Sequence, residues 1–274
     1  MGTNGIEVLA SGAWPEGFVV TGYDPAARRK TDVRVESVIA ERWAQATSEA
    51  ASHGKLLFAG PQCRLVRHEC LGGRLRLALG PTDYREFLGT NLQWRRIHEL
   101  VGEQELAAYL ANALAVCAAV HTADGRLVIG KRSQRVMEHP GRWHVPGGNV
   151  DPDSHVRAGV VDVFCAARAE IHEELGCAED RVSLTCLGLI RPLDSLKPEL
   201  LFLADVRHTG AELLGLANDS EHDELLCLPD APAEILAFLE KEKRAFAPSG
   251  KAALARYLGF QYGIDWHALV EASA

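Results

Sequence analysis

Residues 147–176 read GGNVDPDSHVRAGVVDVFCAARAEIHEELG. The last third of this stretch decides the fold, because Glu170, Glu173 and Glu174 stand at i, i+3 and i+4 just before Gly176. With about 100° of rotation per residue, an α-helix brings all three carboxylates onto one face within a single turn. Left to itself that arrangement is unfavourable. Like charges at this spacing cost a helix a few tenths of a kcal/mol per pair, and the negative end of the helix dipole adds to the penalty near a glycine stop. Hard divalent cations reverse the sign: Mg²⁺ takes clustered carboxylate oxygens, keeps part of its water shell and reaches substrate phosphates. A solvated acidic helix end is the plainer alternative for Glu173 and Glu174 alone. The residues upstream favour a ligand site. Trp143-His144-Val145-Pro146 is an apolar run halted by Gly147-Gly148, and paired glycines let a backbone approach a ligand closely.

The helix that carries the glutamates starts within 151–162. Asp151-Pro152-Asp153-Ser154 supplies one set of N-cap signals, and Asp162 would cap a shorter helix. Val160, Val161, Phe164, Ala167 and Ile171 fall on one apolar face. His172 lies on neither this face nor the glutamate face and reads as a solvated residue.

Glu170-Ile171-His172-Glu173-Glu174-Leu175-Gly176-Cys177 matches, position by position, the second half of the Nudix hydrolase signature, and on these residues the chain resembles that family. The first half departs from it. Between Gly148 and the position where the family carries arginine, the signature has thirteen residues. Here twenty intervene, the position holds Ala169, and Arg168 stands one residue early, about 100° away around the helix. The family's first glutamate has no counterpart. The resemblance implies an α/β/α sandwich with a mixed sheet over residues 109–274. It also implies Mg²⁺ or Mn²⁺ held by Glu170, Glu173 and Glu174, catalysis by Glu174 and Glu170 as ligand or general base, and Gly148 against the substrate. A degenerate box that binds without cutting is the alternative that Ala169 leaves open.

Residues 1–108 carry no such box and read as a smaller α+β domain ahead of it. Strands are expected at 17–20, 55–58, 64–67 and 74–79, the last two joined at Gly72-Gly73, and 32–51 has helical periodicity through Val35, Val38, Ile39 and Trp43. The alternation Arg74-Leu75-Arg76-Leu77 marks one wet face. Tyr84-Arg85-Glu86-Phe87-Leu88-Gly89-Thr90-Asn91 gathers aromatic and polar groups around a glycine; alone it is either a ligand loop or a helix with its stop. It is similar to a stretch in the Nudix subgroup that hydrolyses UDP-glucose and UDP-galactose, which shares the displaced box and the non-arginine residue. That likeness implies a substrate-recognition role for 1–108, with Tyr84, Thr90 and Asn91 on the base, ribose or sugar.

Past residue 109, a hairpin is expected from 114–120 and 126–130 about Ala123-Asp124-Gly125, with further strands at 182–190 and 200–206. Arg132 comes after that hairpin and is a candidate diphosphate contact, since a guanidinium matches a phosphate with two hydrogen bonds; a surface turn is the alternative. By the resemblance, an acidic residue ahead of the strand at 225–228 helps activate water or bind metal, a role open to Glu221 or Glu224. An amphipathic helix is expected at 233–244 and a last helix opening at 246–254. Gly250-Lys251 is not a phosphate loop, because the earlier glycine and the leading strand are missing. Pro248-Ser249-Gly250-Lys251 is nevertheless similar to a subgroup segment, and Lys251 is a candidate substrate contact at a helix N-terminus.

Composition narrows the classes of function. The 274 residues suffice for one large or two smaller domains. A net charge of −8 argues against a nucleic-acid surface, so an anionic substrate would be met by a metal and a few local cations. The seven cysteines are odd in number, scattered and without Cys-x-x-Cys, as in a reduced, cytoplasmic chain. Neither a signal peptide nor an apolar run of about 18 residues is expected, which leaves no membrane partner. His68-Glu69-Cys70 is too short for a zinc site. The expectation is Mg²⁺-dependent hydrolysis of a nucleotide sugar, UDP-glucose or UDP-galactose, to UMP and a sugar 1-phosphate. The alternatives are hydrolysis of ADP-ribose or another nucleoside diphosphate, and a non-catalytic nucleotide-sugar-binding module.

Overall fold

The structure is a computed structural model that describes residues 5–52, 54, 56–157, 160–217 and 221–271. The apolar runs of the second half pair into a mixed sheet whose order is Ile6–Pro15, Val182–Pro192, Glu199–Val206, Ala115–His121, Arg126–Arg132, His222–Pro229. Glu199–Val206 and Ala115–His121 run parallel, and the other neighbours are antiparallel. Both central strands are buried almost throughout, as strands covered on both faces must be. Their side chains alternate between two cores. Val116, Ala118 and Val120 pack with Phe164, Ile171 and Leu175 of the Val163–Leu175 helix. Cys117 and Ala119 pack with Ile235, Leu254 and Tyr257 of the helices Pro232–Lys241 and Pro248–Tyr262 on the other face. Helix, sheet and helix thus form the expected α/β/α sandwich.

Ala115–His121 and Arg126–Arg132 pair only at Val120–Val128 and His121–Leu127. Beyond that they splay. Gly147–Asn149 takes up the free edge of the first and Trp143–His144 that of the second. The opening between them is where the glycine-rich stretch meets the glutamate helix.

Residues 1–108 share both sheet and core with residues 109–274. Ile6–Pro15 is an edge strand of the large sheet. Val19–Tyr23, Arg74–Asp83 and Pro61–Leu71 form a second, three-stranded sheet, turned at Gly72 and Gly73, whose φ angles of 60° and 72° suit glycine. Leu75, Leu77 and Leu79 from its inner face join Val150, Val161 and Phe164 in one hydrophobic cluster. Three local expectations change. Of the strand expected at 55–58, residue 55 lies outside the described residues and 56–58 form no strand, with Leu56 and Phe58 exposed. In 151–162, Asp151 caps a turn by accepting from Asp153 N and Ser154 N, while Val156–Arg157 and Val160–Val161 pair as a short hairpin. The helix therefore starts only at Val163, under the Asp162 cap. A further helix, Trp266–Glu271, comes after the one expected to be last.

Candidate active site

The glutamate helix is fixed at both ends. Asp162 accepts hydrogen bonds from Phe164 N and Cys165 N, and Gly176 closes the helix in the left-handed region with φ 66°. Burial of Phe164, Ala167, Ile171 and Leu175 sets its rotation. Glu170 and Glu173 consequently line a cavity of about 280 Å³ together with Arg132, Gly148 and Glu221. Glu174, only 3% exposed, braces the wall: its Oε1 accepts from Gly147 N at 3.0 Å, and its Oε2 has no hydrogen-bond partner. His222 Nε2 lies 3.7 Å from that second oxygen. Gly148 faces Glu170 so closely that an added Cβ would come within 2.1 Å of its Oε1, so any side chain here would push the carboxylate aside.

Burial pushes the Glu170 carboxyl up to about 8, and the charges of Glu173 and Glu221 push the same way against Lys197 and Arg132. Glu174 is raised well above the usual range, first by burial and also by Glu170 and Glu221, with the Gly147 N–H opposing. Two carboxyls whose ionisation the protein alone disfavours, one with an orphaned buried oxygen, are a donor set that suits a hard cation. Among the described residues no group of three His, Cys, Asp or Glu side chains is gathered into a ready metal cage. The residues that would hold such a cation are Glu170 and Glu174, with Glu173 on the cavity wall.

Of the other expected residues, Arg132 donates from Nε to Glu138 O at 3.0 Å and holds its guanidinium 3.9 Å from Glu221. It also borders an adjoining cavity of about 520 Å³, lined further by Tyr84, Val136 and Met137. The Tyr84 hydroxyl is buried without a hydrogen-bond partner, and burial followed by the Glu138 charge pushes it up to about 12. Thr90 and Asn91 reach neither cavity. Thr90 Oγ1 donates to Glu86 O at 2.7 Å and accepts from Ala111 N at 2.9 Å. Asn91 Nδ2 donates to Ser195 O and Leu196 O at 3.1 Å each, and its Oδ1 accepts from Asn112 N at 2.9 Å. With their polar atoms engaged by backbone, these two are scaffold where substrate contacts were expected. Lys251 also lies off the cavity wall, which Ser249 lines instead. Glu224 is exposed on a strand opposite Lys131. Arg168 is buried toward Glu16, its Nη1 donating to Oε1 at 3.3 Å, away from the glutamate face.

Several cavity residues escape a reading of the sequence, His144, Glu199, Lys197 and Glu138 among them. His144 is buried, its Nδ1 donating to Val145 O and its Nε2 accepting from Ser249 Oγ at 2.9 Å. Burial, then Arg132, pushes its pKa well down, so the ring is neutral. Glu199 is buried beside Ser249, its carboxyl raised by burial. Lys197 Nζ stands 3.0 Å from Glu138 Oε2. Burial disfavours charge on Glu138, but Lys197, His139 and Arg132 together outweigh it and hold the carboxyl below its ordinary value. The one sequence signal for this group was Pro248-Ser249-Gly250-Lys251, where the serine lines the cavity and the lysine does not.

Known proteins give this geometry a family. The chain is 38% identical over 131 residues to the uridine diphosphate glucose pyrophosphatase NUDT22 of Homo sapiens, a match covering 44% of this chain and 43% of that protein. It is 25% identical over 223 residues to Nudix hydrolase 9 of Arabidopsis thaliana, covering 70% of each. The chain thus matches less than half the length of the human relative. Among solved structures, a Nudix hydrolase from Alicyclobacillus acidocaldarius aligns over 52% of this chain and 89% of that one at 16% identity, with a TM-score of 0.41. The NUDIX domain model matches residues 111–248, half of the chain, spanning the splayed strands, the glycine pair and the glutamate helix, and the chain belongs to the Nudix family.

Proposed function

We propose that the protein hydrolyses the diphosphate bond of a nucleotide sugar, UDP-glucose or UDP-galactose, giving UMP and a sugar 1-phosphate with Mg²⁺ or Mn²⁺ as cofactor. The observation that carries this reading is the pair of adjoining cavities that share Arg132, Glu138 and Glu221. The first, lined by Glu170 and Glu173, suits a metal-bound diphosphate. The second, with Tyr84, Val136 and Met137, suits a base stacked on an aromatic and aliphatic wall. The name of the human relative supports uridine diphosphate glucose among the candidate nucleotides.

A divalent ion on Glu170 and Glu174, with Glu173 as a further donor, would neutralise phosphate charge and make its bound water more acidic. The chain's own residues do the rest. Gly148 lets the substrate come close to Glu170, the Arg132 guanidinium grips a phosphate through two hydrogen bonds, and Glu221 at the cavity mouth takes the proton of the attacking water. In-line attack on phosphorus needs this positioning and no covalent nucleophile. Residues 1–108 act as the recognition unit through Tyr84, and 109–274 as the hydrolase. All seven cysteines are free thiols, as suits a reducing, cytoplasmic setting, and no described helix is long and apolar enough to cross a membrane.

The test is release of UMP and sugar phosphate from UDP-glucose with Mg²⁺, with EDTA, and beside ADP-ribose. Metal-dependent release that favours UDP-glucose is expected. A strong preference for ADP-ribose would overturn the substrate assignment, and heat stabilisation by UDP-glucose without release would leave a binding module.

A further inference from the structure

The cavity is acidic for a diphosphate site. Five glutamates line it against two strong cations, Arg132 and Lys197. Lys197 is 8% exposed, with its ammonium 3.0 Å from Glu138 Oε2 and 5.0 Å from the centre of the Phe87 ring. A lysine–glutamate pair buried in this way brings little net stability, because desolvation offsets the attraction. The loop that carries it is held at unusual cost. Leu196 adopts φ 53°, a left-handed conformation that a branched side chain rarely takes. Asn91 Nδ2 clamps both Ser195 O and Leu196 O, and Trp94 Nε1 donates to Asp194 O at 3.1 Å. Two side chains of the 91–94 turn are thus committed to a loop whose Ser195 and Lys197 line the cavity. A strained residue clamped by buried amide hydrogen bonds beside a charged cavity is what a presented functional side chain requires.

We propose that Lys197 is a phosphate-binding cation held in reserve by Glu138, that an incoming diphosphate displaces that carboxylate from the ammonium, and that Asn91 is the residue that positions the lysine for the exchange. The proposal rests on the reading of the first cavity as a diphosphate site. The exchange keeps charges paired throughout. A phosphate oxygen replaces Glu138 on Lys197, and the released carboxylate remains beside Arg132 and His139, both of which already favour its charge. Without substrate, the pair spares the cavity an unpaired buried ammonium.

Inorganic pyrophosphate with Mg²⁺, titrated calorimetrically into the full chain, is the probe. Lys197→Met weakens its binding by about tenfold or more, the loss of one charge-assisted contact. Glu138→Gln strengthens binding several-fold, an effect opposite in sign to structural damage, and the gain disappears in the Lys197→Met background. Asn91→Ala lowers affinity in the wild type and adds nothing to Lys197→Met, although the melting temperature falls in both. Pyrophosphate affinity within twofold of wild type in Lys197→Met would overturn the assignment, as would an equal Glu138→Gln gain in both backgrounds. UDP-glucose cleavage is followed in parallel. Weakened pyrophosphate binding in a chain that cuts no UDP-glucose keeps the lysine and removes the nucleotide-sugar reading; normal cleavage with unchanged pyrophosphate binding in Lys197→Met does the reverse.

Discussion

Glu174 illustrates how a single side chain can serve the fold poorly and the chemistry well. It is 3% exposed with one oxygen unpartnered, and burial holds its carboxyl far above the ordinary range. In the metal-binding role proposed above, Glu174→Gln keeps the shape and the acceptor for Gly147 N but removes a ligand, and the expected outcome is a fall in turnover of about 10²-fold or more, in line with losing a preorganised electrostatic group. The melting temperature in EDTA stays level or rises. Unchanged turnover would take Glu174 out of the site. Glu170 gives the pH signature. Its folded pKa of about 8 lies above the unfolded carboxylate value of about 4.5. The folded protein then binds more protons than the unfolded chain between those values, and the stability tied to Glu170 is full below the window and lost as pH rises through it. In EDTA the melting temperature of wild type relative to Glu170→Gln therefore drops from pH 5.5 to 8, and Mg²⁺ restores more of it at pH 8, where it competes with fewer protons. A difference that stays flat with pH contradicts the assignment. The glutamates could be read from sequence because their spacing is local, within one helical turn. Lys197 and Glu138 could not, since 59 residues separate them and only the sheet brings them together.

At the scale of elements, the Val163–Leu175 helix depends on its caps more than on its propensity. Asp162→Ala removes the acceptor for Phe164 N and Cys165 N and costs about 1 kcal/mol. Gly176→Ala places a Cβ in a left-handed residue and 2.8 Å from Leu216 O, which costs about 1–2 kcal/mol from backbone strain alone. Both read out as lower denaturant midpoints, and a shift below about 0.3 kcal/mol in either would mean that packing alone sets the helix ends. The sequence offered two start signals, and both are used. Asp151 caps a turn and Asp162 the helix, with the inserted residues spent on a short hairpin between them. Periodicity could not choose, because a hairpin of two-residue strands is too short to show a period. The apolar run at 56–58 misled for a related reason: it is too short to show a period, and strand propensity is set by packing that a single run cannot reveal. Within the 84–91 segment, the partners of Asn91, Ser195 and Leu196, lie more than a hundred residues away, so no local pattern could show what its amide holds.

Across the whole molecule, the boundary that the signature residues suggest near residue 108 divides the sequence more cleanly than it divides the core. Strand Pro61–Leu71 exchanges backbone hydrogen bonds with the second half, Cys63 N donating to Val150 O at 2.8 Å and Leu114 N to Cys63 O at 2.7 Å. Ile6–Pro15 covers the edge of Val182–Pro192, and Arg256, 9% exposed, donates to Gly12 O at 2.7 Å as well as to Leu187 O at 2.9 Å. A fragment of residues 109–274 would lose that acceptor and the ion pair of Arg168 with Glu16. It would also open the Val182–Pro192 edge and uncover the apolar cluster that Leu75, Leu77 and Leu79 help to close. Exposed edge strands and apolar patches of this kind lead to aggregation. The expected outcome is that 109–274 alone shows no cooperative melting transition and aggregates. Co-expression with 1–108 as a separate chain restores a single transition, because the second sheet and the edge strand supply the missing partners. A soluble 109–274 fragment melting cooperatively near the full-length temperature would show that the two parts fold independently, and would make the first 108 residues a substrate cover added to a self-sufficient hydrolase fold.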